Sequence, residues 1–125
     1  MSKNSFKSLK LKPEIYKNLE TLGFTEMTEI QNKALPHVLA GEDVVGQAQT
    51  GSGKTVAFGL GVISQIIVAD YYVQSLILCP TRELADQVAT EIRKLGRMNN
   101  NLKVLLLCGG TPIGPQTGSL EHGAQ

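Results

Sequence analysis

The amino-acid sequence predicts an α/β fold in which parallel strands alternate with helices. Three short apolar runs predict the strands: residues 44–45, residues 75–80 and residues 103–107. Their lack of polar alternation is typical of strands buried on both faces of a parallel sheet. Segments with apolar residues at helical spacing separate the runs, and a glycine-rich loop follows the first of them. Alternation of this kind is typical of βαβ units.

Two helices are predicted ahead of the first strand. Pro13 suits the first turn of a helix, which Gly23 ends. Thr28 begins the second helix, and its spacing from Gln31 fits a capping box. In that arrangement each side chain accepts a hydrogen bond from the backbone N–H of the other residue. Helix capping is therefore one interpretation of Gln31.

Two further helices and a tail follow the first predicted strand. The third helix begins near Lys54 and continues through Ile67, and an amphipathic fourth helix occupies residues 81–98. The tail, residues 111–125, holds three glycines and two prolines, and we expect it to end in a helical turn. A chain of 125 residues lies within the range of one small domain.

Composition and charge exclude several classes of protein. The net charge of +1 gives no basic excess that would by itself indicate nucleic-acid binding. Cys79 and Cys108 each end an apolar run and are predicted to be buried, reduced residues rather than a disulfide. His37 and His122 are isolated and offer no metal-ligand spacing. Residues 1–12 lack the apolar core of a signal peptide, and no apolar run could span a bilayer. We expect a cytoplasmic protein with no membrane partner.

The glycine-rich loop has the pattern AxxxxGKT, with alanine in place of the usual first glycine. Glycines let successive backbone N–H groups turn toward a phosphate, and the helix that follows adds its positive end. Lys54 can reach the β- and γ-phosphates, and Thr55 can offer its hydroxyl to Mg²⁺. A glycine-rich turn with an exposed lysine is the alternative, but a strand and a helix flank the loop as phosphate binding requires. The candidate nucleotide-binding residues here are Ala48, Gln49, Thr50, Gly51, Ser52, Gly53, Lys54 and Thr55.

Four segments together resemble the DEAD-box RNA helicase family. They are a Q motif over residues 6–31, which contains "GFTEMTEIQ"; the phosphate loop, residues 48–55; motif Ia, residues 80–85, within "PTRELADQ"; and a glycine doublet, residues 109–110. A phosphate loop alone is widespread, whereas this combination is highly specific. The resemblance covers nearly the whole chain. It implies that residues 1–125 are an incomplete RecA-like P-loop NTPase domain, namely part of the N-terminal ATP-binding domain of such a helicase.

Two departures from the family pattern affect this interpretation. Met27 precedes Thr28 where the family usually has proline, which we expect to change local stiffness more than base recognition. The sequence also contains no D-E-A-D. By the resemblance, that motif, the SAT motif and the C-terminal RecA-like domain of the parent protein would lie beyond Gln125. The wording "LCPTRELADQVA" is most similar to a bacterial subgroup that acts on ribosomal RNA.

The resemblance implies ATP and Mg²⁺ as cofactors. Gln31 would recognise adenine through its amide, since it has a donor and an acceptor for the N6 and N7 edge. Phe24 would stack on the base, with Phe6 behind it or sharing that surface; a hydrophobic staple is the alternative for Phe24. Lys54 and Thr55 are the candidate catalytic residues, because Lys54 would stabilise phosphate charge and Thr55 would coordinate Mg²⁺.

The resemblance also implies RNA as a partner, through sugar and phosphate contacts that do not depend on base sequence. For Arg82 the alternative is a surface salt bridge to Glu83 or Asp86, and for the glycine doublet it is a plain turn. The candidate RNA-binding residues are Pro80, Thr81, Arg82, Gly109 and Gly110.

The predicted function is that of an ATP-binding, RNA-contacting fragment of a DEAD-box RNA helicase. The parent helicase would carry out ATP-dependent remodelling of RNA duplexes or RNA–protein complexes. By itself this chain is expected to be inactive. A non-catalytic truncated product and a small P-loop kinase are the alternatives. Because the predicted strands lack the neighbours that the family fold supplies, we also expect the isolated chain to be marginally stable and to associate through strand edges.

Overall fold

Five α-helices form the regular structure of this computed structural model, which describes residues 2–125. A short 3₁₀ turn at Phe6–Ser8 precedes them. The helices are α1 (Pro13–Thr21), α2 (Glu29–Leu39), α3 (Lys54–Gln65), α4 (Arg82–Leu95) and α5 (Ile113–Glu121). The four predicted helices are confirmed, although α3 ends before Ile67. The predicted final turn is instead a helix of 9 residues.

The ends of α1 and α2 follow from local sequence. Pro13 occupies the first turn of α1, where its missing N–H costs no hydrogen bond. Gly23 follows the helix with a φ of 78° and ends it as predicted. At the start of α2, Thr28 is the N-cap, and Glu29 accepts a 2.6 Å hydrogen bond from Lys33 one turn later. This bond and the charge of Lys33 hold the pKa of Glu29 below its usual range.

The hydrophobic core forms where α3 packs between α2 and α4, with α1 against α4. Two glycines let α3 approach its neighbours closely. A Cβ at Gly61 would overlap the side chain of Val38, and one at Gly59 would lie 3.0 Å from Leu95. This packing holds the N-terminus of α3, and with it the phosphate loop, in a fixed position. The large apolar side chains that are fully buried are Ile15, Leu19, Leu35, Leu60, Ile63 and Leu95.

A buried asparagine joins α1 to the end of α4. Asn18 is 1% exposed, and its Nδ2 donates to the backbone carbonyls of Lys94 and Leu95. The last carbonyls of a helix have no partner within the helix, so a side chain that binds them caps its end. The Oδ1 atom of Asn18 has no hydrogen-bond partner among the described residues. Asn18 therefore stabilises the contact between α1 and α4 through its nitrogen.

The three predicted strands do not pair with one another. Between residues 2 and 125 the β pairing consists of one isolated antiparallel bridge, between Ser5 and Glu26, and no backbone hydrogen bond joins residues 44–45, 75–80 and 103–107. Val45 is 100% exposed and Leu78 is 85% exposed. The predicted alternation of strands with helices is thus not confirmed. The reason is that a strand depends on hydrogen bonds from a neighbour, whereas an apolar run shows only that its side chains favour burial.

The C-terminal residue connects segments that are far apart in sequence. The backbone oxygen of Gln125 accepts from the N–H groups of Gln74 and Ser75, at 2.7 and 3.0 Å. Its side-chain Oε1 accepts from the N–H of Lys103 at 2.9 Å, and its Nε2 donates to the carbonyl of Val68 at 2.7 Å. Gln125 is only 6% exposed. One residue thus holds three parts of the chain together where a sheet was predicted.

The two cysteines each lie at the end of an apolar run. Cys79 and Cys108 are unpaired, as predicted, but each is only partly buried. Their exposure follows from the missing strand neighbours, since each cysteine ends an apolar run that nothing covers on both faces.

Between residues 2 and 125, no helix has both the length and the apolar character needed to cross a membrane.

Candidate nucleotide site and RNA-contact site

The glycine-rich loop turns directly into the N-terminus of α3. Gly51 and Gly53 have φ values of 79° and 89°, in the left-handed region that residues with a Cβ rarely adopt. Gly53 is the N-cap of α3 and provides no side chain to bind the first N–H groups of the helix. These N–H groups therefore face the loop as unpaired donors, and the positive end of the helix dipole lies at the same place. Both features favour binding of an anion.

Side chains close the loop into a compact turn. Lys54 Nζ donates to the carbonyl of Ala48 at 2.7 Å. The backbone N–H and the hydroxyl of Ser52 both donate to the carbonyl of Gln49, at 3.2 and 2.5 Å. Thr55 is partly buried in the first turn of α3. The predicted residues 48–55 thus come together. The ammonium group of Lys54 is bound to the loop itself, and it would have to leave the carbonyl of Ala48 to reach a phosphate.

Gln31 links the start of α2 to the phosphate loop. Its side chain is 3% exposed. Oε1 accepts from the backbone N–H of Thr28 at 2.9 Å, and Nε2 donates to the carbonyl of Gly53 at 3.2 Å. The capping box predicted from sequence is present. The contact with Gly53 was not predicted, and it places the amide of Gln31 at the N-terminus of α3.

Phe6 and Phe24 lie close together, at the edge of the hydrophobic core. Both line a cavity of about 380 Å³ beside α1. Phe6 is 3% exposed and belongs to the hydrophobic core, whereas Phe24 is partly buried and packs at its edge. Phe24 also lines the larger cleft that contains Gln31. Phe6 therefore supports this surface from within the core, and Phe24 is the aromatic ring that a ligand in the cleft can reach.

A cleft of about 1100 Å³ runs from the start of α2 across the phosphate loop to α4. Thr28, Lys54, residues 76–79 and Leu84 are among its lining. The unpaired donors of α3 and the ammonium of Lys54 fit a phosphate chain. For a divalent cation the fit is partial: Thr55 offers one hydroxyl, and the described residues contain no cluster of three or more His, Cys, Asp or Glu side chains that could hold a metal ion.

A second site forms where the N-terminus of α4 meets the glycine doublet, and it begins just after Pro80. Thr81 is the N-cap of α4, and its hydroxyl accepts from the N–H of Leu84 at 3.1 Å. Arg82 Nη1 donates to the carbonyl of Gly109 at 3.4 Å. Gly110 has a φ of 78°, and a Cβ there would lie 2.7 Å from Nη1 of Arg82. The structure thus brings together the residues that the resemblance assigned to RNA.

The alternative interpretation of Arg82 is not observed. Among residues 2–125, Arg82 makes no salt bridge to Glu83 or Asp86. Arg82 and the glycine doublet are exposed. The guanidinium therefore remains accessible to an anion while it touches the turn.

Sequence reasoning missed one residue at this second site. Gln116 lies in α5, and its Oε1 accepts from the N–H of Cys108 at 3.0 Å. Its Nε2 lies 2.8 Å from the hydroxyl of Thr111. Nothing in the spacing of a partly buried glutamine in a glycine-rich tail indicates such contacts, because they depend on how the chain turns between residues 108 and 112.

Comparison with known proteins decides the family. The family model described as "DEAD/DEAH box helicase" matches residues 28–125. The chain belongs to this family. It is 56% identical, over 112 residues, to "ATP-dependent RNA helicase DbpA" of Escherichia coli (strain K12). The match covers 90% of this chain and 24% of that relative, so the chain spans about a quarter of its length. The bacterial subgroup to which the sequence is most similar in wording is that of DbpA, and this match agrees with that similarity.

Solved structures show the same family resemblance in three dimensions. A DEAD box protein from the hyperthermophile Methanococcus jannaschii matches with a TM-score of 0.90 and 39% identity. That match covers 97% of this chain and 33% of the other. The RNA helicase Prp28 from Chaetomium thermophilum, solved with ADP, matches with a TM-score of 0.77 and 36% identity, over 91% of this chain and 29% of its own. The path of the chain is thus that of a DEAD-box helicase fragment, even though its predicted strands do not pair.

Proposed function

We propose that the chain binds the adenine nucleotide ATP in the cleft between α2, the phosphate loop and α4. The contact that carries this proposal is the hydrogen bond from Gln31 to the carbonyl of Gly53. It couples a buried amide to the N-cap of α3, which is the point where a phosphate would meet the unpaired N–H groups. Base recognition and phosphate binding would therefore be arranged by one side chain.

The hydrogen bonds of Gln31 leave it able to pair with adenine. Its Oε1 has a second lone pair after it accepts from Thr28, and its Nε2 has a second hydrogen after it donates to Gly53. An acceptor and a donor on the same amide match the N6 amino group and N7 of adenine. Guanine keeps the N7 acceptor but has the O6 acceptor in place of the N6 donor, which supports a preference for ATP over GTP. Capping and base recognition are thus compatible roles of Gln31.

The phosphate chain would be held by the loop itself. Lys54 would exchange the carbonyl of Ala48 for the β- and γ-phosphates, where its full positive charge interacts more strongly than with a neutral oxygen. The backbone N–H groups from Gly51 to Gly53 would bind the same phosphates. Thr55 would coordinate Mg²⁺, which supplies charge neutralisation at the phosphates when bound.

RNA would bind at the second site through its phosphates. Arg82 offers an exposed guanidinium, Thr81 marks a helix N-terminus, and the missing Cβ of Gly110 leaves room for that guanidinium beside the turn. These groups suit phosphate oxygens, so we expect binding to be independent of base sequence. In the whole protein, we propose ATP-dependent remodelling of RNA, with ribosomal RNA as the substrate suggested by the DbpA subgroup and the cytoplasm as its location. The alternative of a small P-loop kinase has no support in the family match.

The experiment is a calorimetric titration of the chain with ATP and with GTP in the presence of Mg²⁺. Lys54→Ala should abolish binding of both nucleotides, because the phosphates lose their nearby cation. Gln31→Ala should weaken the binding of ATP more than the binding of GTP, and so reduce the preference of the chain for ATP. Gln65→Ala is the matched control, since this exposed glutamine donates only to the carbonyl of Val38. If Gln31→Ala leaves the ratio of the two affinities unchanged, Gln31 is a helix cap alone.

A further inference from the structure

We propose that Gln116 is a positioning residue for the RNA-contact site. It fixes the turn of residues 108–112, and through the carbonyl of Gly109 that turn holds the guanidinium of Arg82. This inference rests on the proposed RNA contact of Arg82 and adds to it a residue that touches no RNA. The family resemblance assigned no role to Gln116.

The amide of Gln116 is enclosed by the backbone of the turn. Its Oε1 accepts from the N–H of Cys108 at 3.0 Å. Its Nε2 lies 2.8 Å from Thr111 Oγ1, 3.1 Å from the carbonyl of Pro112 and 3.3 Å from that of Cys108. Two amide hydrogens are thus shared among several acceptors in the same turn. One side chain thereby binds both ends of the turn.

A second hydrogen bond closes the same turn from within. Thr111 Oγ1 donates to the carbonyl of Cys108 at 2.8 Å. Gly109 and Gly110 lie between these two tied residues, and they are the most flexible residue type in the chain. Without the bonds to Cys108 and Thr111, nothing else among the side-chain contacts of residues 2–125 would hold the doublet in place, apart from Arg82 itself.

The position of Arg82 depends on this turn. Its only hydrogen bond among the described side-chain contacts is the 3.4 Å bond from Nη1 to the carbonyl of Gly109. That length lies beyond the usual range of about 2.7–3.2 Å, so the bond is weak. A small shift of Gly109 would therefore release the guanidinium, and a mobile arginine loses conformational entropy when it binds a phosphate. Gln116 should therefore influence RNA binding mainly through Arg82, and also through the glycine doublet that the same turn contains.

The location of Gln116 allows a clean test. No residue of α5 is buried, so α5 adds little to the hydrophobic core. Gln116→Met keeps the length of the side chain and removes every hydrogen bond, while Gln116→Glu keeps an acceptor for the N–H of Cys108. Gln65→Met is the matched control on α3. We expect all three variants to keep the helical circular dichroism of the parent chain.

The first measurement needs no RNA. Hydrogen exchange of the Cys108 amide should become about tenfold faster in Gln116→Met, as expected when one hydrogen bond is lost. It should be unchanged in Gln65→Met, whereas Gln116→Glu should also speed it, because a carboxylate oxygen would be repelled by the carbonyls of Cys108 and Pro112. The NMR signal of the Arg82 side-chain Nε–H should shift in Gln116→Met. An unchanged Cys108 exchange rate, or an unmoved Arg82 signal, in Gln116→Met would overturn the inference.

The second measurement uses a fluorescein-labelled single-stranded RNA of mixed sequence. Gln116→Met should bind it about three- to tenfold more weakly than the parent chain, the range of one weakened phosphate contact. In the background of Arg82→Ala, Gln116→Met should cause a smaller further loss than in the parent chain, because Arg82 is absent and only the glycine doublet still depends on the turn. Losses that multiply would contradict the inference. If the parent chain fails to bind RNA, the proposed function fails, and the exchange experiment alone decides whether Gln116 positions Arg82.

Discussion

Replacing Gly53 by alanine should damage the nucleotide site more than the same change at Gly51. Both glycines have a positive φ, so each alanine would be strained by the backbone alone. They differ in their surroundings. A Cβ at Gly51 meets nothing within 4 Å, whereas one at Gly53 would overlap Nε2 of Gln31 and lie 3.0 Å from Thr28 Oγ1. The pair of variants therefore separates backbone strain from the contact with Gln31.

The magnitude follows from the bonds that Gln31 would lose. Left-handed backbone costs a residue with a Cβ about 1–2 kcal/mol, and this cost applies to both variants. At Gly53 the new methyl also displaces the amide of Gln31 from Thr28 and from the Gly53 carbonyl. At about 1 kcal/mol for each hydrogen bond, this adds about 2 kcal/mol. We expect Gly51→Ala to lower the free energy of unfolding by about 1–2 kcal/mol and Gly53→Ala by about 3–4 kcal/mol.

Urea unfolding followed by circular dichroism measures both costs. The decisive control is Gly53→Ala combined with Gln31→Ala, since the side chain to be displaced is then absent. In that background the cost of Gly53→Ala should fall to about 1–2 kcal/mol, the strain alone. ATP binding should be lost in Gly53→Ala and only weakened in Gly51→Ala. Equal destabilisation by the two alanines, or an undiminished cost in the Gln31→Ala background, would refute the coupling between Gln31 and the loop.

Three further predictions concern the rest of the chain. Asn18→Ala should lower the free energy of unfolding by about 1–2 kcal/mol in urea melts, because the carbonyl of Leu95 loses its donor while that of Lys94 keeps the N–H of Arg97; an effect within error would mean that water replaces the amide. In the folded chain, Lys33 lowers the pKa of Glu29. The interaction of Glu29 with Lys33 therefore stabilises the fold above the ordinary glutamate pKa, and this stabilisation is lost as the pH falls through the lowered pKa. Glu29→Gln should flatten that acid-side decline in melting temperature, and an identical pH profile would contradict it. In sedimentation velocity the parent chain should associate, and Leu78→Lys should reduce this, since Leu78 is 85% exposed on an unpaired apolar run. Tyr72→Lys, at a position 61% exposed outside the predicted strands, should not.

Local sequence predicted the helices well because their signals act over a few residues. Pro13 and Gly23 marked the ends of α1, and Thr28 with Gln31 marked the start of α2. The glycine-rich loop was placed correctly before α3 for the same reason. Each of these features depends on backbone geometry that neighbouring side chains determine, so no knowledge of the rest of the fold was needed.

Features that depend on distant partners were predicted incompletely. The apolar run of residues 75–80 carried the composition of a buried strand, but pairing requires a neighbour that composition does not reveal. The bond between Gln31 and Gly53 spans 22 positions and follows from the packing of α2 on α3. The family resemblance grouped Arg82 with the glycine doublet in one candidate site, and only the structure showed the hydrogen bond from Arg82 to Gly109.

The hydrogen bonds of Gln125 set a time order for folding during protein synthesis. Its partners at Val68 and Gln74 are made long before it, and Lys103 precedes it by 22 positions. At about 5–20 residues per second, the ribosome needs about 1–4 s to add those 22 residues. The helical core, which contains no residue of α5, is complete in sequence before this interval begins. Gln125 is therefore made after every residue of the helical core, so the apolar runs around Ser75 and Lys103 can be joined through it only at a later stage than the core residues are made.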